Sequence, residues 1–233
     1  MNLDEAILQL EKVASQIRQA SFADNKTPLK NSLALHNEVK LIESRESEFD
    51  VIVFGDLNGF KSINDVHGHE TGDMALERVG ETIQQDFVKQ LGGKAFRRSG
   101  DEFIILLNQK TLSEFRKATA KFSSIVFSHK GITLVAKMSF GLALSDGKTD
   151  FSDLLERAEI ACSVAKSKGH GVGVTWSSET VRDASTEFRQ KCEHCGSTVR
   201  RSVPNRNKPK ALIICSFCET RFLTFRSKNH IIW

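Results

Sequence analysis

Phe96–Leu107 reads FRRSGDEFIILL, and Phe49–Phe54 reads FDVIVF. Each holds a short apolar run bounded by charge, the pattern of a strand buried in a sheet. In the first, Lys94–Arg98 and Glu102–Leu107 are predicted strands. The small polar turn Ser99-Gly100-Asp101 between them makes the pair a hairpin. Asp56 follows the other run by two residues, and Asp101 and Glu102 sit in the hairpin turn. Acidic residues at the ends of adjacent strands converge on one edge of a sheet. Hard cations such as Mg²⁺ take oxygen ligands, often one or two carboxylates together with substrate phosphates. Taken alone, this is a weak signal, because strand-end carboxylates are commonly solvated turn residues.

Outward from these strands the pattern alternates. Leu33–Ser44 is a predicted helix. Phe60–Asp65 makes one or two helical turns, and Thr71–Phe87 is amphipathic, with Met74, Leu76, Val79, Ile83 and Phe87 near helical spacing. Thr111–Phe127 is expected as helix, Thr133–Leu144 as one long strand, Phe151–Lys168 as helix and Val172–Trp176 as a last strand. This order predicts an α/β sandwich with a central, largely antiparallel sheet. Leu3, Ile7, Leu10, Ala14 and Ile17 form a heptad stripe near the N-terminus, too short for a stable free coiled coil. It either packs on its own domain or pairs with a second copy.

The chain has 233 residues and 39 % apolar side chains, including sixteen Phe, enough to pack a core in one ordinary domain with a small appendage. No apolar stretch reaches the roughly 20 residues needed to span a bilayer. The first residues, MNLDEAILQLEK, are acidic and amphipathic, unlike a signal peptide, so a cytoplasmic protein with no membrane partner is expected. Charge is unevenly spread. Residues 1–190 carry 24 Lys+Arg against 27 Asp+Glu, and residues 191–233 carry nine against two. A basic tail on a mildly acidic body marks a separate module. Four of the five cysteines lie in that tail, as Cys192-x-x-Cys195 and Cys215-x-x-Cys218 with 19 residues between the pairs. Two such knuckles close a tetrahedral Zn²⁺ site with no open position, which points to a structural metal. A module of this size has too little core to fold unaided, and the metal supplies the stability. Cys162 stands alone in a helical segment, as a small buried apolar residue. The expected organisation is an N-terminal amphipathic helix (1–20), a domain (21–176), a linker (177–190) and a small β zinc ribbon (191–233).

DLNGFKSINDVHGHETGD (Asp56–Asp73), followed by FRRSGDEFIILL, closely resembles the GGDEF family of diguanylate cyclases. The resemblance covers about residues 20–175. DNKTPLKN (Asp24–Asn31) falls where the family has D-x-L-T-G-L-x-N and keeps Asp24, Thr27, Leu29 and Asn31. The resemblance implies a palm-like nucleotidyl cyclase sandwich that makes cyclic di-GMP from two GTP, with Mg²⁺, as a homodimer. It implies that Asp56, the Leu57 carbonyl, Asp101 and Glu102 bind Mg²⁺, and that Asp101 and Glu102 help deprotonate the attacking 3′-hydroxyl. Gly59, Phe60 and Lys61 match the turn that holds the triphosphate, using a helix start with unpaired donors. Asn64 and Asp73 match the pair that reads guanine, and Lys166 matches the lysine that contacts phosphate.

The chain also departs from the family. Ser99 replaces the first glycine of the signature, and serine enters φ > 0 less cheaply than glycine. Asn58 replaces a frequent second aspartate, Ser163 replaces a tyrosine, and His170 replaces an arginine. Histidine is mostly neutral near pH 7 and lacks the guanidinium fork, so phosphate binding there is expected to be weaker or pH dependent. Gln90 and Gly93 stand where many members carry an inhibitory R-x-x-D site, so product inhibition through it is not expected. Two rival functions follow. One is a degenerate domain that binds GTP or cyclic di-GMP without turnover. The other is a nucleic-acid-tethered regulator using the basic ribbon, although a protein contact suits the ribbon as well.

Overall fold

The computed structural model describes residues 3–44, 46–168 and 172–177, together with four later strands, 187–191, 198–202, 210–214 and 221–225. The chain divides into two compact units, Met1–Val181 and Arg182–Trp233.

The first unit is built on a five-stranded sheet in the order β2-β3-β1-β6-β7, where β1 is Val51–Leu57, β2 Lys94–Ser99, β3 Glu102–Leu107, β6 Met138–Leu144 and β7 Gly173–Thr175. All neighbours are antiparallel except β6 and β7. The unbroken apolar runs follow from burial on both faces. Side chains alternate along a strand, so Val51, Val53 and Leu57 of β1 join Phe103, Ile105, Met138 and Phe140 in one core. Ile52 and Phe54 join Ile104, Leu106 and Ala143 in another.

The first core is covered by α4 (His69–Ile83), its π-helical continuation Gln84–Lys89, and α5 (Leu112–Thr119). Here Phe87, Phe115, Phe122 and Phe140 interlock, with Phe87 4.6 Å from Phe115 and Phe122 5.1 Å from Phe140 between ring centroids. Tilted and edge-on rings at this spacing add to simple area burial. The second core is covered by α2 (Ser32–Glu43) and α6 (Phe151–Lys168). Asn31 starts α2 by accepting from the Ala34 N–H at 3.0 Å, a side-chain cap that satisfies an otherwise orphan donor. The α6 backbone lies so close to β6 that a Cβ at Gly141 would sit 1.9 Å from the Ala158 carbonyl oxygen. Cys162 is buried there, its thiol donating to the Ser139 carbonyl at 3.3 Å and pushed up to about 12 by burial. It is an inert packing residue.

Three sequence expectations need correction. Thr111–Phe127 is not one helix: α5 ends at Thr119, a 3₁₀ turn follows, and Ile125–His129 is strand β4. Thr133–Leu144 is not one strand: it breaks at Lys137 into β5 (Ile132–Ala136) and β6. β4 and β5 form a hairpin closed by Lys130 and Gly131, both at positive φ (50° and 78°), as a two-residue hairpin turn of the favoured twist requires. Residues 187–190, expected as linker, lie within a strand. Asn64, Asp65 and the histidine at 67 belong to α3 (Phe60–His67), slightly longer than its apolar pattern indicates. α1 (Leu3–Ser21) carries the heptad stripe outward: Ile7, Leu10 and Ile17 are 47 %, 69 % and 63 % exposed. The stripe does not pack on its own domain.

In the second unit β8 (Glu187–Lys191) pairs antiparallel with β9 (Thr198–Ser202), and β10 (Lys210–Ile214) with β11 (Arg221–Phe225). Cys192, Cys195, Cys215 and Cys218 lie outside the described residues, as does His170.

The tight β6–α6 contact makes a clear prediction. Gly141→Ala drives a methyl into helix backbone that cannot rotate away, and overpacking of this kind costs about 3 kcal/mol or more. Gly173→Ala, whose Cβ would find its nearest neighbour at 3.7 Å, is expected to change stability far less. Urea unfolding of both variants checks this.

Candidate active site

β1 and β3 are registered so that Asp56 lies opposite Glu102. The Leu57 N–H donates to the Asp101 carbonyl at 3.1 Å. Two peptide segments distant in the sequence are thereby locked side by side, and their carboxylates share one end of the sheet. Gly100 takes the positive φ (47°) of the turn, whereas Ser99 does not enter that region. The loss of glycine at position 99 is therefore conformationally tolerated. The Ser99 hydroxyl donates instead to Glu102 Oε2 at 3.0 Å. Asn58, in place of a second aspartate, hydrogen-bonds Ser139 Oγ at 2.9 Å and is held by its own N–H on the Lys137 carbonyl at 2.7 Å.

Lys166, near the end of α6, places its ammonium 2.7 Å from Asp56 Oδ1. Burial pushes the Asp56 carboxyl above the ordinary carboxylate range. Lys166 draws it back, and Asp101 and Glu102 push it up again. Burial also raises Asp101, with Glu102 adding to the shift. For Lys166, burial opposes the charge, but the hydrogen bond to Asp56 and the surrounding negative field carry its pKa upward. In this state the carboxylates are balanced by a lysine. No group of three or more His, Cys, Asp or Glu side chains among the described residues closes to metal-binding distance. The donor set itself, oxygen-only carboxylates concentrated on one edge, with Asp56 and Asp101 raised first by burial, is the chemistry a hard divalent cation relieves.

Directly after β1, Gly59 turns the chain at φ 71° and α3 begins at Phe60 with no side-chain cap. Its leading N–H groups, with Lys61 in the first turn, are free of competition from a capping side chain and suit an anion. Asn64 of α3 packs against Gly72 of α4, the residue before Asp73. A Cβ at Gly72 would fall 1.9 Å from Asn64 Oδ1, so glycine there leaves room for the amide. Asn64 Oδ1 is buried without a hydrogen-bond partner, an unmet acceptor at the place where a ligand is expected.

Three residues not singled out from the sequence complete the site. Lys26 is ion-paired with Asp73. Arg97 joins the signature turn to the loop before α2: its Nε donates to the Gly100 carbonyl at 2.9 Å and its Nη1 to Asp24 Oδ1 at 3.2 Å. Arg98 Nη1 is 2.5 Å from Glu159 and 3.8 Å from Glu102. Lys26 was detectable as a charged residue where the resembling loop has leucine. The two arginines carried no such signal. At Gly93 a Cβ would meet the Leu107 side chain at 2.7 Å and the Phe87 carbonyl at 2.9 Å, so packing forbids the aspartate of an inhibitory site.

Relieving the crowded charge should be visible as stability. A carboxyl whose folded pKa is raised stabilises the fold when protonated, and that contribution is lost as pH rises through the folded value. Asp101→Asn is therefore expected to raise the metal-free Tm at pH 7. The gain should shrink as pH falls toward the ordinary value of 3.8. Thermal unfolding at pH 7 and pH 4 measures both.

The family model described as "Diguanylate cyclase, GGDEF domain" matches residues 21–171. Diguanylate cyclase DosC of Escherichia coli K12 is 31 % identical over 126 residues, covering 52 % of this chain and 27 % of DosC. The bifunctional diguanylate cyclase/cyclic di-GMP phosphodiesterase MucR of Pseudomonas aeruginosa is 25 % identical over 216 residues, covering 87 % of this chain and 30 % of MucR. The chain thus spans less than a third of these relatives' length. In fold it is similar to the coiled coil and GGDEF domain of Caulobacter crescentus DgcB, with TM-score 0.63 and 21 % identity, over 74 % of this chain and 94 % of that one. With the family model spanning more than half of the residues, and the signature turn, the α3 start and the α3–α4 pair all within it, the chain belongs to the GGDEF diguanylate cyclase domain family.

Proposed function

We propose that this protein is a diguanylate cyclase that converts two GTP into cyclic di-GMP and two pyrophosphates. The observation that carries the reading is the β1–β3 register, with Asp56 opposite Glu102 and the Leu57 N–H on the Asp101 carbonyl. Asp56, the Leu57 carbonyl, Asp101 and Glu102 are the residues that would hold Mg²⁺. The cation would supply Lewis-acid charge stabilisation to the phosphoryl oxygens. The chain's own residues do the rest. The uncapped start of α3 and Lys61 bind the triphosphate. Asp73 and Asn64 orient the base. Lys166 moves from Asp56 to phosphate once charge neutralisation of Asp56 is supplied elsewhere. Glu102, with Asp101, takes the proton of the 3′-hydroxyl. That oxygen then bonds to the α-phosphorus of a GTP held by a second copy, and pyrophosphate leaves. Two such transfers close the ring, so one chain alone is insufficient. The exposed apolar stripe of α1 supports pairing of two copies.

The C-terminal unit is proposed to be a zinc ribbon. Each hairpin, β8–β9 and β10–β11, has one Cys-x-x-Cys in the sequence between its strands. This is the arrangement in which two knuckles share one tetrahedral ion. The basic residues of this unit suit a protein surface or a nucleic-acid backbone as its partner.

Incubation of the protein with GTP and Mg²⁺ is expected to yield cyclic di-GMP and pyrophosphate by mass spectrometry, with a specific rate that rises with protein concentration. Asp101→Ala should lower it by at least about 10³-fold, since an acid of the reacting centre is removed. Intact GTP in the unsubstituted protein refutes the reading and leaves a nucleotide-binding domain. Metal analysis is expected to give one zinc per chain, lost together with the strand signal of residues 187–225 on strong chelation.

A further inference from the structure

Lys26 is held in place by more than its ion pair. Its N–H donates to Asp24 Oδ2 at 3.1 Å, and the same oxygen accepts from the N–H and hydroxyl of Thr27, both at 2.9 Å. Arg97 grips the other Asp24 oxygen. The loop is further pinned by the Arg97 N–H on the Lys30 carbonyl at 2.8 Å and by the Asn31 side chain on the Ser21 and Ala23 carbonyls. α4 closes on it so tightly that a Cβ at Gly80 would lie 2.7 Å from Thr27 Cβ. The loop thus fixes where the Lys26 side chain starts, beside α4. The ammonium meets Asp73 Oδ1, while Asp73 Oδ2 makes no protein hydrogen bond among the described residues.

The Lys26 and Asp73 side chains are 39 % and 43 % exposed. An exposed pair of this kind contributes little to stability and is open to a ligand. It presents a donor beside an acceptor. Guanine offers the complement along one edge: O6 accepts, and N1–H and N2–H donate. Each carboxylate oxygen accepts more than one hydrogen bond, so Asp73 can keep Lys26 while taking N1–H and N2–H. Adenine reverses the edge, bringing its N6 amino group to the ammonium and its unprotonated N1 to the carboxylate. Both contacts are then mismatched.

We propose that Lys26 is a specificity residue that donates to O6 of the bound guanine, so that base reading is shared by Lys26, Asp73 and Asn64. This rests on the reading of Asn64 and Asp73 as the base-binding pair. The lysine supplies an interaction that the leucine of the resembling loop cannot make.

The test is equilibrium binding, by calorimetry on the full chain at pH 7 with Mg²⁺, of nucleoside diphosphates, which cannot release pyrophosphate. GDP, 6-thio-GDP (a weak acceptor at position 6), IDP (no N2 amine) and ADP are compared. The unsubstituted protein is expected to prefer GDP over 6-thio-GDP by roughly tenfold, the value of one charge-assisted hydrogen bond. Lys26→Met should weaken GDP by a similar factor and bring that ratio to about one, leaving the GDP to IDP ratio intact. Lys26→Gln, which keeps a donor, should be intermediate. Asp73→Asn should instead lose the GDP to IDP preference. If Lys26→Met binds GDP as tightly as before or more tightly, the lysine is a plug and the proposal is overturned, while Asp73→Asn still reports an intact guanine pocket. If the unsubstituted protein shows no preference for GDP over ADP, the pocket reading falls first and the proposal with it. A fall in Tm for Lys26→Met with both ratios unchanged also overturns it, leaving a structural ion pair.

Discussion

Carboxylates repel one another, and a chain left to itself separates them. Here the separation is prevented by a backbone register. Six residues of β1 pair with six of β3, from Val51 opposite Leu107 to Asp56 opposite Glu102, and the strand interiors are almost wholly excluded from water on both faces. Sliding the register by one residue would turn every apolar side chain of β3 to the wrong core. The free energy of two apolar cores thus fixes the relative position of three acids that would not choose it. Lys166 offsets part of the repulsion from the end of α6, and α6 is itself pressed against β6 at a glycine that admits no side chain.

The same logic explains which parts of the fold were legible beforehand. β1, β3 and β6 are buried on both faces, so their apolar runs are continuous, and the Ser99-Gly100-Asp101 turn separates β2 from β3 in plain view. β4 was hidden because only one of its faces is covered. Val126 is 55 % exposed, so an apolar residue on the solvent side blurred the two-residue period that marks a strand, whereas most of β5 was already read as strand. The break at Lys137 was equally silent, since Met138 resumes the apolar pattern at once. β8 is a polar strand, Glu187–Lys191, whose identity comes from its partner β9 and not from its own composition.

The site divides in the same way. Asp56, Asp101, Glu102, Asn64 and Asp73 lie in ordered, recognisable strings, and the β1–β3 register sets Asp56 opposite Glu102. Lys26 and Arg97 act across long separations, 47 residues from Lys26 to Asp73 and 73 from Arg97 to Asp24, and no local pattern encodes such partners. Arg98 pairs with Glu159 over 61 residues for the same reason. Ser99 runs the other way: its risk was legible and its consequence was not, because the positive φ falls on Gly100 alone.

Arg97 gives these parts a common mechanical basis. Its guanidinium is nearly buried, with 12 % of the side chain exposed, and it bridges a backbone carbonyl of the acidic turn to the aspartate that organises the loop carrying Lys26. A planar fork that satisfies two acceptors at once fixes direction as well as distance. The loop that carries Lys26 and the turn bearing Asp101 are therefore tied to each other through one side chain. The base end and the phosphoryl end of the site are spaced by one side chain standing on β2, a strand whose own position is set by the hydrogen-bond ladder to β3. On the proposed function, a purine held at Asp73 would thereby be indexed to the same sheet edge that carries the acids. Orientation of a substrate relative to its catalytic groups is where much of a transferase's advantage over solution chemistry arises. On the proposed function that orientation would descend, through Arg97, from the register of β1, β3 and β2.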